Sequence, residues 1–339
     1  MSSTTAISSS AFGLGILILG IFLFLIVLFF IGFRPVSVYF GDMGNYYHKF
    51  NLLVNGNPPN YNKDFLFIFF MNIISSSESA TFFFFLCAFM YLYPLFSFTK
   101  KVFNEYWFYA FFMLIISFSF WSYGTNGIRN GIASSIFLLG ISIKKKSFKY
   151  IMFIVACGFH QSLLLPFMAY LMTNYYNYPK KYLIAWLCCI PLSLVLGNVF
   201  ISFFLNLGII DSNNLEGYMG GFDYASEGIT DLKTGFRWDF LIYSASGVYA
   251  GWYYIYKKLF TDIFYFRLFN IYLIVNGFWI LVIKANYSNR FAYLSWFMLG
   301  IIIIYPLLKK KIFRNQHRVV AIIILAYFSF TYLMNVILS

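Results

Sequence analysis

At 339 residues, 61% hydrophobic, 24% aromatic and only 10% charged, the chain cannot be a water-soluble globule, a class with about 25% charged residues. Its formal net charge of +13 sits in short Lys and Arg clusters between apolar runs, so the positive-inside rule explains it without nucleic acid. Backbone in lipid must be satisfied within helices or a closed barrel, and unbroken apolar runs without strand alternation select an all-α polytopic bundle, read as one membrane domain over residues 1–339.

The first run, residues 11–33, has no basic leader and ends at Arg34-Pro35 without a small-residue cleavage site, so it is expected to stay as a span. A first outer segment, 34–78, carries Asp42, Tyr46, Tyr47, His48 and Asp64. Its apolar stretch 65–75 is too short to cross and is expected to lie along the interface. Spans are predicted over 79–98, 106–121 and 127–143. Residues 150–173 lie between two basic clusters that both favour the cytoplasm, yet 24 residues are too few for two crossings. A broken, re-entrant hairpin centred on Gly158, His160, Gln161 and Pro166 resolves the parity and implies an internal cavity, because irregular backbone at that depth needs protein or water around it.

Further spans over 183–200, 239–256, 264–283, 291–308 and 319–338 bring the count to about nine full crossings. A second outer segment, 201–238, is rich in glycine, acids and the aromatics Tyr218, Phe222, Tyr224 and Trp238. This arrangement puts the N-terminus in the cytoplasm with 16 of the 24 Lys and Arg, and nine of the 11 acids on the outer side. Cys87, Cys157, Cys188 and Cys189 all fall inside apolar runs, without metal-ligand spacing, and read as packing residues.

Arg129, in NGIRNG at the outer start of the fourth span, opposes the dipole of its own helix, so it is expected to hold an anionic partner or ligand or to snorkel to lipid phosphate. Asn126, Asn130 and Ser134, at four-residue spacing, make a polar stripe beside it. His160, at membrane depth in the hairpin, is a proton carrier, a phosphate donor or a hydrogen-bonded core residue. Arg290 repeats the position of Arg129 on another span. Arg237 with Asp239 gives a third such site, or a local ion pair at a helix start. Three guanidinium groups entering one face suit the oxygens of a diphosphate. Asp42 is either the carboxylate that takes a proton from an attacking sugar hydroxyl or a turn residue after Gly41. The chain has no P-loop, Rossmann glycine pattern, HExxH or Asp-x-Asp pair, so its substrate is expected to arrive through the membrane.

The string NGIRNGIASSIFLLGI (126–141), a lysine cluster and FIVACGFHQSLLLP (153–166) resemble the central signature of the EpsG family of Wzy-type polysaccharide polymerases. GDMGNYY (41–47), GFRWDF (235–240) and SNRFAY (288–293) extend the resemblance more loosely. The family often has Gln where this chain has Asn130, and Glu-Pro where it reads Lys63-Asp64-Phe65, so Asp64 is left out of the expected site. The resemblance implies a GT-C-like enzyme of the bacterial inner membrane, acting at its periplasmic face on undecaprenyl-diphosphate-linked oligosaccharides as donor and acceptor, in O-antigen or exopolysaccharide synthesis. It implies no cofactor and no metal, and a chain-length regulator is a candidate further partner. Arg129, His160, Arg290 and Asp42 are then the expected catalytic residues, and Arg237, Asp239, Asn126 and Asn130 the expected substrate ligands. A flippase for the same lipid-linked sugars is the rival reading. It needs the same cations, but the spans are uneven and no internal repeat is visible.

Overall fold

A computed structural model describes residues 3–58, 63–206, 235–285 and 288–337. Every regular element among them is helical, as an apolar chain that must satisfy its own backbone requires. Most of the second outer segment, residues 207–234, lies outside the described residues, and Tyr218, Phe222 and Tyr224 with it. The helices gather into two compact units, Met1–Leu164 with Leu307–Ser339, and Leu165–Pro306.

The first unit opens with α1 (Ser3–Gly32), an apolar rod. Arg34, just beyond it and only 8% exposed, donates to the carbonyls of Ile31 and, at 3.0 Å, Thr125. Those are end groups of two helices, where a cation suits the negative pole of the dipole. Two short helices follow, α2 (Met43–Val54) and α3 (Phe65–Ser75). With 11 residues, α3 is too short to cross, as predicted for 65–75. The long helix α4 (Ala80–Phe103) starts at Ser79, whose hydroxyl accepts the Phe82 N–H at 3.3 Å, and ends on Lys100 and Lys101.

The predicted span 106–121 is in fact two helices, α5 (Trp107–Ile115) and α6 (Phe118–Thr125). They part at Ser117, where the backbone turns extended and the hydroxyl donates to the Leu114 carbonyl at 2.7 Å. Ser117 is 3% exposed, so the break is enclosed by protein, where irregular backbone is tolerated. Next come α7 (Ile128–Ser142), packed on α4 and α6, and α8 (Lys146–Phe159), which returns along α7. The helix breaks at His160, which is extended (φ −154°, ψ 118°) and leads into a single turn of tighter helix, Gln161–Leu163. The expected interruption around Gly158 and His160 is therefore present.

The second unit contains α9 (Leu164–Tyr175), α10 (Pro179–Asn206), α11 (Trp238–Trp252) with a wider π turn over Tyr253–Lys257, α12 (Ile263–Leu281) and α13 (Asn289–Lys309). Of its three long spans α13 is the most buried, 83% inside protein against 67% for α12 and 22% for α10. Asn276 ties four helices together. Its amide donates to Ser244 Oγ (3.1 Å) and Ser295 Oγ (3.0 Å) and accepts from the Trp186 indole (2.8 Å), while the Trp296 indole also donates to Ser244 Oγ (2.7 Å). In an apolar surround with no competing water, such contacts set which helix faces meet. The chain then returns to the first unit through α14 (Gln316–Tyr332).

Among the described residues, six helical runs are long and apolar enough to cross a membrane: Gly13–Gly32, Ala80–Ile115, Pro179–Phe204, Ile263–Leu281, Asn289–Lys309 and Gln316–Ile337. The chain is thus an all-helical, polytopic membrane protein. Of the other predicted spans, 106–121 shares the run Ala80–Ile115 with 79–98, 127–143 is the 15-residue α7, and 239–256 is α11 with its π turn.

Candidate active site

The first unit brings three sequence-distant groups to one point. Asp64 Oδ2 accepts from Arg129 Nη1 at 2.5 Å and lies 2.9 Å from His160 Nδ1, while Oδ1 accepts the Gln161 backbone N–H at 2.9 Å. The Asp64 side chain is 3% exposed, against 29% for Arg129 and 20% for His160, so the carboxylate is the buried floor and the two bases open outward.

Local geometry explains how Asp64 gets there. It precedes α3 in a left-handed conformation (φ 59°, ψ 46°), uncommon for a residue with a Cβ but best tolerated by Asp and Asn. Its carbonyl starts α3 by accepting from Phe67 and Ile68 N–H groups, yet its carboxylate makes no cap bond to its own helix. A capping Asp stabilises a helix by about 1 kcal/mol, and Asp64 forgoes that to reach across to α7 and the break after α8. Burial, the largest influence on its pKa, would raise it. The hydrogen bond from His160, the Arg129 guanidinium and the Gln161 N–H together outweigh burial and hold the carboxyl below its ordinary value.

His160 reaches Asp64 with Nδ1 because the helix ends one residue earlier and its extended backbone swings the ring toward the carboxylate. A carboxylate on Nδ1 selects the tautomer with hydrogen there, which leaves the Nε2 lone pair to accept a proton. Arg129, expected to need an anion at the start of α7, has one in Asp64, and its Nε donates to the Tyr46 hydroxyl at 3.2 Å. Tyr46 is 4% exposed, and burial pushes its phenol pKa up, so the hydroxyl stays neutral beside the guanidinium.

Two members of the predicted polar stripe, Asn126 and Asn130, make hydrogen bonds beside this point. Asn126 Oδ1 accepts the Asp42 backbone N–H at 2.9 Å, and Gly41 makes that approach feasible. Its φ of +56° favours glycine, and a Cβ there would lie 2.5 Å from the Asn126 side chain. Asp42 heads α2 one turn before Tyr46 without capping it, and Asn45 Nδ2 donates to its carboxylate at 3.3 Å. Asn130 Oδ1 accepts from Ser162 Oγ at 3.0 Å and so ties α7 to the turn that follows His160.

The remaining expected residues stand in the second unit. Arg237 and Asp239 form a two-armed pair at the start of α11, Nε to Oδ1 at 3.0 Å and Nη2 to Oδ2 at 2.6 Å, with the guanidinium over the Phe240 ring. This is the local ion pair considered from sequence. Arg290 is exposed in the first turn of α13. Among the described residues no cluster of three or more His, Cys, Asp or Glu has the proximity a metal ion would need.

Asp64 is the residue the sequence pattern hides, since its partners lie 65 and 96 positions away. Its only local sign is an acid set directly against a short apolar helix. No curated relative and no solved structure matches the chain. The model of the EpsG family matches residues 17–339, nearly the whole length, and the two motif blocks that carry the resemblance supply the Arg129 and His160 assembled here on Asp64. The chain belongs to the EpsG family of Wzy-like polymerases.

Proposed function

We propose that the chain is a GT-C-like glycosyltransferase of the bacterial inner membrane, crossing it about nine times with its N-terminus in the cytoplasm. It transfers a growing O-antigen or exopolysaccharide glycan from undecaprenyl diphosphate to the non-reducing end of a second lipid-linked repeat unit. The observation that carries this reading is the fixing of Arg129 and His160 side by side on a buried carboxylate. Polymerisation of lipid-linked glycan needs a cation for a diphosphate leaving group and a base for a sugar hydroxyl, and these two residue types supply them.

The acceptor hydroxyl oxygen attacks the anomeric carbon of the donor, its proton passes to His160 Nε2, and the bond from that carbon to the diphosphate oxygen breaks. Undecaprenyl diphosphate leaves as an anion, held by the Arg129 guanidinium. Asp64 is saturated by three donors and acts as a positioning residue, fixing the tautomer of His160 and the aim of Arg129. Asp42 orients the acceptor hydroxyl. Arg290 contacts the diphosphate of a lipid-linked substrate, and Arg237 with Asp239 its sugar. Fixed guanidinium charge supports a step that needs no metal, and the site faces the periplasm under the positive-inside rule. A chain-length regulator is the further partner this reading admits.

The test is a chromosomal deletion in the native host, complemented with wild type, Arg129→Ala or His160→Ala, with surface polysaccharide resolved on a gel. Wild type restores a ladder of repeat lengths, and each variant leaves single repeat units. A full-length ladder from both variants would sink the proposal. Loss of all surface glycan, with lipid-linked units held on the cytoplasmic leaflet, would assign a transporter.

A further inference from the structure

The first unit carries a second charged feature at the end of α4 remote from Asp64. Helix α7 leaves Arg129 and runs 15 residues, roughly 22 Å, before the Lys144–Lys149 cluster, and α4 ends at Lys100 and Lys101. At that end the turn between α13 and α14 borders an open cavity of about 320 Å³, within the size range of small-ligand sites. Lys310, Lys311, Arg314 and His317 line it, together with Tyr106 and Tyr109.

A run of lysines after a span is ordinarily a solvated patch. Two observations separate this one from that default. Gln316 folds the turn onto itself: its Oε1 accepts the N–H groups of Ile312 (2.6 Å) and Phe313 (3.2 Å), and its Nε2 donates to the carbonyls of Lys310 (2.9 Å) and Leu307. The cations are thereby displayed on an ordered, concave turn. Second, none of Lys310, Lys311, Arg314 and His317 pairs with a carboxylate among the described residues. Four basic groups face one cavity without a counter-anion, beside two tyrosines of the kind that mark the headgroup level.

We propose that this cavity binds the phosphodiester headgroup of a net-anionic phospholipid, in the leaflet opposite the Asp64 site. The basic side chains and tyrosine hydroxyls hold the phosphate oxygens, and the acyl chains lie along the apolar flanks of α5 and α14. The proposal is independent of the glycosyltransferase reading.

The full-length protein, purified in neutral detergent, would be titrated with short-chain phosphatidylglycerol, short-chain phosphatidylcholine and inorganic phosphate, and bound lipid counted by native mass spectrometry. One phosphatidylglycerol is expected to stay bound where phosphatidylcholine does not. The variant Lys310→Gln/Lys311→Gln/Arg314→Gln is expected to weaken it roughly tenfold to a hundredfold. Lys145→Gln/Lys149→Gln, outside the cavity, should leave it intact. Should the triple variant lose its monodisperse elution profile, Arg314→Gln alone serves, with a several-fold weakening expected. Equal retention of both lipids, or unchanged binding in the variants, would overturn the site. Displacement of the lipid by equimolar inorganic phosphate would overturn its assignment to a lipid and mark a soluble phosphate site.

Discussion

At the scale of single residues, the candidate site turns on a buried carboxylate that joins Arg129 to His160. Arg129 and His160 stand out in the sequence because a cation at a helix start and a histidine in a broken apolar segment both need explaining. Asp64 needs no such explanation beside Lys63 at a loop end, and only the folded chain shows it joining the other two. Replacing it tests the joint. Asp64→Asn keeps the shape but presents an amide that can donate to His160 Nδ1, which places the hydrogen on the wrong ring nitrogen. Polymer formation is expected to fall on the order of 10²- to 10⁴-fold, the range for loss of acid–base assistance, read as ladder intensity or in vitro chain extension. The same variant has a pH signature. Because the folded pKa of Asp64 is depressed, its stabilising effect is complete above about pH 4, the ordinary carboxylate value, and is lost as pH falls through the lower folded value. The thermal stability of wild type should therefore exceed that of Asp64→Asn at pH 5–8, and the difference should shrink toward zero with acidification below pH 4. A constant difference down to strongly acidic pH would show that Asp64 contributes by shape and not by charge.

At the scale of elements, the accuracy of the site depends on how closely short helices approach. α6 and α7 meet at Gly131, where an added Cβ would lie 2.6 Å from the Tyr123 carbonyl oxygen, a backbone atom that cannot rotate away. Gly131→Ala must therefore shift α7, and Arg129 rides on its first turn. An error of 1 Å in a positioned catalytic group is enough to cost about a hundredfold in rate. Gly131→Ala is expected to lose most polymer while still inserting at normal levels in the membrane. Gly13→Ala, which meets nothing within 4 Å, should be silent. Equal activity in the two would show that the α6–α7 approach does not aim Arg129. These short helices also mark where legibility ended. Residues 106–121 read as one span because hydropathy registers apolar side chains and not the hydroxyl of Ser117, which can satisfy a broken backbone in place. The interruption at His160 was legible, because two basic flanks and too few residues between them left no regular helix that fits.

At the scale of the whole molecule, composition settles the class at once, since lipid permits so few backbones, but it says nothing of how the helices divide. Uniformly apolar sequence looks alike in both units, and the difference between them lies in sparse polar side chains. In the first unit Arg129 and His160 converge on Asp64 and stay partly open. In the second, Asn276, Ser244, Ser295 and Trp296 are fully buried and satisfy one another across helices, the condition for structure. Hydrogen bonds between membrane helices contribute about 0.6 kcal/mol each, so the three made by Asn276 amount to roughly 2 kcal/mol. Asn276→Leu is expected to lower stability by about that much, because the Trp186 indole then lacks its acceptor as well. The measurement is thermal unfolding in detergent followed by tryptophan fluorescence. Chain extension by Asn276→Leu at a permissive temperature should stay near wild type, because no residue of the network belongs to the Asp64 cluster. A variant with unaltered melting and lost extension would reverse that division, and would make the buried amide of the second unit part of the chemistry.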